Sequence, residues 1–356
     1  MRRRPLNRSG FTMIEMITAV AVSVIVVGGL YSLFNLQSKQ FLYQDAQMNM
    51  HQNLRFAADI ITRTARLAGN GTMGSATGVL GYDGTSASSA DTMPAVISHD
   101  GGTTDTDAIT LIYADPTLEM NSSVLTVESC TTSTITFDMD MLNYSNLIGN
   151  FASGELLMCW DHAAIAGTRS WIWEIDGGGS SSTGQISVVD NSSYNDFTND
   201  CGTTENLPPV VTCSRGNVVT FYIDNDGTDG NGPGSVDHPV LMMDLDFDYL
   251  DTAGSGAGDD IPLVDDIEDL QIAYCPADSD CLDDSAWVDD LSLDEGMEVW
   301  MARITLIART PRLDPRDQHQ ETRPGLENRA ATSTEDGYYR EMLTTSVSIR
   351  NLRNMN

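Results

Sequence analysis

One lysine, Lys39, occurs in 356 residues, and between Leu67 and Ala302 the only basic residues are Arg169 and Arg215. A stretch so poor in positive charge repels phosphate backbones, so no direct nucleic-acid binding is expected through this region. Catalytic motifs are missing too. There is no GlyXSerXGly, no HisGluXXHis and no glycine loop followed by lysine to cradle a phosphate, and the carboxylates are too numerous for any pair to stand out. Acid pairs such as Asp265 and Asp266 read as surface, and the chain is expected not to be an enzyme. CysXXCys is absent and the five histidines are dispersed, which argues against a zinc site. Proline is absent between Pro5 and Pro94, so nothing of that kind interrupts a helix there.

What is present starts at the N-terminus. Residues 2 to 8 hold four arginines, Gly10 closes this polar leader, and an apolar run follows from Phe11 to Phe34 with Glu15 as its only charge. About 20 residues at roughly 1.5 Å rise cross a hydrocarbon core of about 30 Å, so the run is long enough to span. The arginines predict a cytoplasmic N-terminus, with everything after Lys39 on the far side. A secretory signal peptide places its cleavage site after the apolar stretch, whereas here the Gly precedes it. A carboxylate inside a spanning helix costs a few kcal/mol and marks a functional site with a partner to be found. The competing reading is a capping box, Thr12 paired with Glu15.

From Phe11 the pattern predicts one helix to about Ala68, on the order of 87 Å long at roughly 1.5 Å per residue. Leu54, Ala57, Ala58, Ile61, Ala65 and Ala68 recur at offsets of three and four and form one apolar stripe. Gly28 and Gly29 serve either close packing or local bending. Gly69 stands where a helix C′ residue belongs. Residues 69–106, rich in Gly, Ser, Thr and Asp, read as a loop. Short apolar or alternating runs then begin at Ala108, Ser123, Thr134, Glu155, Ser170, Val218, Val240, Ile267, Glu298 and Leu343, separated by turn-forming clusters. The expected fold class is α+β. A leader (1–10), a membrane or filament-core helix (11–34) and its amphipathic continuation (35–68) precede the loop and an acidic, mainly antiparallel β-rich domain (107–356).

The formal charge of −32 becomes −36 once Arg2, Arg3, Arg4 and Arg8 are lost. Such acidity fits a solvated surface or binding of divalent cations. Asp224, Asp226 and Asp229 lie in AspAsnAspGlyThrAspGlyAsnGly, residues 224–232. Thr228 and Asp229 occupy the fifth and sixth positions and no Glu stands at the twelfth, so this is not an EF-hand. A simpler calcium-binding loop and a plain Asp/Asn/Gly turn both fit, and calcium is the one cofactor the sequence suggests. Six cysteines, all beyond the apolar run, suggest disulfides in an exported domain. Proximity favours Cys275 with Cys281 and Cys201 with Cys213, which leaves Cys130 with Cys159.

ArgSerGly followed by PheThrMetIleGlu resembles the class III signal of type IV pilins and pseudopilins. The resemblance implies cleavage after Gly10 by a prepilin peptidase, methylation of the new N-terminus at Phe11, and pairing of Glu15 with a neighbouring subunit's amine, since a buried charge is tolerable when paired. ThrAlaArgLeuAlaGly (64–69), LeuValAspAspIleGluAspLeuGlnIleAlaTyr (263–274), AlaArgIleThrLeuIleAlaArgThr (302–310) and ThrThrSerValSerIleArgAsn (344–351) resemble the pattern of PilW-type minor pilins. The middle, roughly 75–215, carries no such resemblance. The implied function is that of a minor pilin taking part in initiation or assembly of a type IV pilus, near its tip. Its partners would be other minor and major pilins, the prepilin peptidase and the inner-membrane assembly platform. It would sit in the bacterial inner membrane as a single-pass protein, then in periplasm and pilus. A J-type pseudopilin of type II secretion shares this layout, and a tip adhesin would use the acidic middle as its contact surface.

Overall fold

The computed structural model describes residues 12–70, 75–77, 92–114, 125–130, 134–137, 148–149, 151–161, 170–180, 182–188, 211–225, 238–245, 260–276, 279–291, 299–311, 321–333 and 335–349. The chain divides into two compact units, Met1–Asn49 and Met50–Asn356. Helix α1 runs Met13–Ala65, a little shorter than the sequence pattern at both ends. Its described residues before Met50 are mostly exposed, and Met50, Leu54, Ala57, Ala58, Ile61 and Ala65 are buried. The expected stripe is therefore the packed face, and Ala68 beyond it is buried as well. Gly69 does adopt a left-handed φ of 78°. Its N–H donates to the Ile112 carbonyl at 3.0 Å instead of closing back on the helix, so this terminus docks on a strand.

Fifteen strands follow among the described residues. They are β1 Ser75–Thr77, β2 Thr92–Pro94, β3 Val96–His99, β4 Ala108–Ala114, β5 Leu125–Cys130, β6 Thr134–Phe137, β7 Leu156–Asp161, β8 Ser170–Ser180, β9 Gln185–Val188, β10 Val211–Asp224, β11 Val240–Asp244, β12 Ile261–Asp265, β13 Ile267–Pro276, β14 Val299–Arg309 and β15 Arg340–Ser348. The segment expected as a loop over 69–106 thus contains β1, β2 and β3. Ala95, Val96 and Ile97 are buried there, which gives a short strand enough apolar surface to hold it against β4.

β10 organises the larger sheet. Its first half pairs with β7 and β5 and its second half with β4 and β11. Every strand pair is antiparallel except β1 with β8, which meet at Thr77 and Trp171. β13, β14 and β15 form a separate antiparallel sheet in that order. The buried face of α1 shares one core with Leu270, Ile272, Ile304, Leu306 and Val347 of this smaller sheet and with Ile109, Leu111 and Phe221 of the larger one. Burying side chains such as Leu54 and Ile61 contributes about 1.5–3 kcal/mol each. A second core, built from Ile135, Phe137, Trp173, Ile175 and Ile186, lies within the middle of the chain. The architecture is one long N-terminal helix followed by a mainly antiparallel β-rich part, an α+β fold.

Candidate assembly sites

Gly10 and Phe11 lie outside the described residues. Thr12 and Glu15 are described, and they form the reciprocal capping box. Glu15 Oε2 accepts from the Thr12 backbone N–H and from Thr12 Oγ1, both at 2.9 Å, and the Glu15 N–H donates to Thr12 Oγ1 at 3.4 Å. Both Thr12 bonds fall on Oε2, and Oε1 has no donor among the described residues. Met13, Ile14, Met16 and Ile17 surround this carboxylate and are exposed, as are Val20 to Phe34 where large and apolar. A contiguous apolar surface of this extent belongs in a bilayer or against other helices. α1 is the one helix long and apolar enough to cross a membrane among the described residues.

The second site was not read from the sequence. Glu268 and Asp269 stand at the start of β13, flanked by Ile267 and Leu270, and arginines from the connection between β14 and β15 and from the first residue of β15 close over them. Asp269 is fully buried and accepts from Arg323 Nη1 on Oδ2 and from Arg329 Nη1 on Oδ1, each at 2.6 Å. Burial pushes its carboxyl up, against the pull of the Arg329 and Arg323 guanidiniums. Arg323 also donates to the Ala330 carbonyl at 2.7 Å, and Arg329 to the Thr104 carbonyl at 3.3 Å. Arg340 grips Glu268 through Nε at 2.6 Å and Nη2 at 2.9 Å, and Asp336 through Nη1 and Nη2 at 2.6 Å each. Burial raises the Asp336 carboxyl, but the hydrogen bonds from Arg340 and the Tyr338 N–H outweigh it and hold the group below its ordinary value. A register shift between Ile267 and Asp269 makes Glu268 the extra residue of a bulge. The available signal was the pair of acids inside the apolar run IleGluAspLeuGlnIleAla, together with arginines returning after Ala302.

Asp265 and Asp266, read as surface, part company. Asp265 is exposed, whereas Asp266 is buried at a left-handed φ of 63° and its Oδ1 lies 3.0 Å from His238 Nδ1. Burial pushes the Asp266 carboxyl up, and His238 opposes that shift. The turn between β12 and β13 needs a residue that tolerates this backbone, and aspartate is one of the few.

In the calcium candidate, Asp224 is a buried residue at the end of β10, while Asp226 and Asp229 lie outside the described residues. No group of three or more His, Cys, Asp or Glu side chains fit to hold a metal occurs among the described residues. The disulfides differ from the proximity reading. Cys275 bonds to Cys281, but Cys159 bonds to Cys213, which replaces both the Cys201–Cys213 and the Cys130–Cys159 pairings. The reason is register, because Cys159 of β7 lies directly opposite Cys213 of β10 in an antiparallel ladder. Closeness in sequence cannot reveal a partner strand 54 residues away. Cys130 is the last residue of β5, and Cys201 lies outside the described residues.

Comparison with known proteins adds to this geometry. Residues 5–31 match the family described as the prokaryotic N-terminal methylation motif, and residues 220–351 match the family described as type IV pilus-assembly protein W, PilW. No curated protein sequence matches the chain. A type IV-like pilin from Thermus thermophilus has a solved structure similar over 85% of this chain and 98% of that one, at 11% identity and a TM-score of 0.33. The methylation motif and the apolar helix fit a membrane-anchored, type IV pilin-like protein. Within that class the match over residues 220–351 makes the closing part of the chain similar to PilW, a type IV pilus-assembly protein. The PilW match also contains the whole arginine lattice on β13.

Proposed function

We propose that the chain is cut after Gly10 by a prepilin peptidase, methylated at Phe11 and held in the bacterial inner membrane by residues 11–34, with its leader cytoplasmic. It then enters a filament through the assembly platform and acts in initiation, near the tip, as a structural subunit and not as a catalyst. The observation that carries this reading is the Glu15 carboxylate, exposed in the first turn of an apolar helix with Oε2 taken by Thr12 and no donor on Oε1 among the described residues. A carboxylate held in this way is oriented before its partner arrives. The amine released at Phe11 of a neighbouring subunit is a partner of the right charge, and pairing makes the buried charge tolerable. The capping box and the assembly contact are therefore one arrangement used twice.

Replacement of Glu15 by Ala is expected to leave cleavage intact while impairing incorporation, read by immunoblot of sheared filaments against whole membranes. Normal piliation with normal incorporation of the variant would count against the pairing. A bulky residue at Gly10 is expected to leave the unprocessed precursor in the membrane. Deletion separates the pilus from the secretion machine: loss of type II secretion with piliation untouched rejects the pilus reading.

A further inference from the structure

We propose that the outer edge of β15 is a docking edge for an extended segment of a different pilin subunit, which would add a strand to the sheet β13–β14–β15. The proposal rests on the filament reading above and specifies how the folded part meets its neighbour.

The argument starts from hydrogen-bond parity. At one end of the ladder the Ile349 N–H donates to the Trp300 carbonyl at 3.0 Å, and at the other the Thr310 N–H donates to the Tyr339 carbonyl at 2.9 Å. Between them the β14–β15 register runs from Met301 opposite Ser348 to Arg309 opposite Arg340 with no shift. Bonded and non-bonded pairs alternate along an antiparallel ladder. Residues 341, 343, 345 and 347 therefore turn their backbone groups toward β14. Met342, Thr344, Ser346 and Ser348 turn theirs away, toward an edge that no other described strand occupies.

Such an edge is a template for pairing, and proteins that need it closed interrupt it with Pro, a bulge or charge. β15 has none of these between Met342 and Ser348. Its two charged residues have partners within the chain, the buried Arg340 with Glu268 and Asp336, and the partly exposed Glu341 with His51 at 2.7 Å. What remains is an uncharged edge with Met342 52% exposed, on a chain whose formal charge is −36 after loss of the leader arginines from −32. Two such chains repel, which disfavours a second copy as the occupant. A different subunit of lower negative charge meets no such barrier here. Strand addition draws its affinity from main-chain bonds and its selectivity from alternate side chains, here Met342, Thr344 and Ser346 on the exposed face.

Two measurements on the full chain in its own piliated cells test the idea. A photo-cross-linking residue at Ser346, with the joined peptide sequenced, is expected to capture a segment of another pilin. Thr344→Pro removes one outward N–H that the fold does not use and should lower that product about tenfold or more, while Thr344→Val should not. Hydrogen exchange needs no variant: on assembly the amides of Met342, Thr344, Ser346 and Ser348 should slow by about tenfold or more, and those of 341, 343, 345 and 347 should not change. Cross-linking to the chain's own β15, or filaments containing the chain without this alternating protection, overturns the docking edge and leaves the filament reading intact. A processed chain that never enters filaments overturns both.

Discussion

Replacing Asp269 by Ala removes the one carboxylate shared by Arg323 and Arg329. The aspartate is fully buried, and the arginine side chains are 7% and 11% exposed. Breaking a buried ion pair from one side costs about 3–5 kcal/mol, chiefly because the remaining charge has no compensation. Here two guanidiniums are left, each with a backbone carbonyl as consolation, Ala330 for Arg323 and Thr104 for Arg329. Gln271 also loses one of the acceptors of its amide. The upper part of that range is therefore expected, about 4–5 kcal/mol. The assay is urea unfolding of the full chain in detergent, followed by tryptophan fluorescence. At an m-value of about 3 kcal/mol/M the midpoint should fall by roughly 1.5 M. The triple variant Asp269→Leu, Arg323→Met, Arg329→Met removes all three charges together and should recover most of the loss, because no buried charge is stranded. If the single variant loses less than about 1 kcal/mol, or the triple variant is as unstable as the single one, the stranded-charge argument fails.

Burial pushes the Asp107 carboxyl from 3.8 up to about 7, against the pull of the Ile272 and Gly101 amides and with a further push from Asp100 and Asp269. The folded chain then holds a proton that the unfolded chain releases, so this contribution is fully present below pH 3.8 and lost as pH rises to about 7, by about 4 kcal/mol. Asp107→Asn should flatten the melting temperature across that window, and parallel profiles for the two proteins would refute the assignment. A Cβ on Gly179 would lie 1.7 Å from the Ile148 carbonyl oxygen, so Gly179→Ala should cost about 3 kcal/mol or more in a chemical melt. An unchanged midpoint would show that this strand gives way. The disulfides close loops of very different length, 54 and 6 residues apart in sequence. Loop entropy then gives about 4 kcal/mol for Cys159–Cys213 and about 2 kcal/mol for Cys275–Cys281, and paired Cys→Ala variants should rank in that order by melting temperature.

The parts of the fold legible in the sequence are those written in local periodicity. The stripe from Leu54 to Ala68 has helical spacing and is buried, and the runs starting at Ala108, Ile267 and Glu298 became β4, β13 and β14. β9 and β12 were missed. Gln185–Val188 is four residues long, and Ile261–Asp265 carries a proline and shows little burial, so neither offered a pattern long enough to read. β10 was expected from Val218 but begins at Val211, because Ser214 and Arg215 break the alternation while pairing with β7 keeps the strand extended. At the sites the same division holds. Thr12 and Glu15 are three residues apart, and their contact was visible as a capping box. The Asp269–Arg323, Asp269–Arg329 and Cys159–Cys213 contacts span 54 residues or more, and only the sheet registers bring them together.

The use of arginine joins these observations to assembly. Among the described residues after Ala302, each of Arg303, Arg309, Arg323, Arg329 and Arg340 has an acidic partner within the chain. Of these, Arg323, Arg329 and Arg340 hold the β14–β15 connection over β13. A surface so acidic keeps copies of the chain apart at the range of the Debye length, about 8–10 Å at ordinary ionic strength. Contacts that survive must be short-ranged and locally neutral. The apolar helix with its single carboxylate meets that condition, and so does the uncharged edge of β15. The charge distribution therefore disfavours contact between two copies of this chain. That leads to a last measurable consequence. Raising the ionic strength should increase self-association of the detergent-solubilised chain in sedimentation, whereas its association with other pilins should change little. Self-association that weakens as salt rises would mean that attraction between charges, not their repulsion, governs how copies of this chain meet.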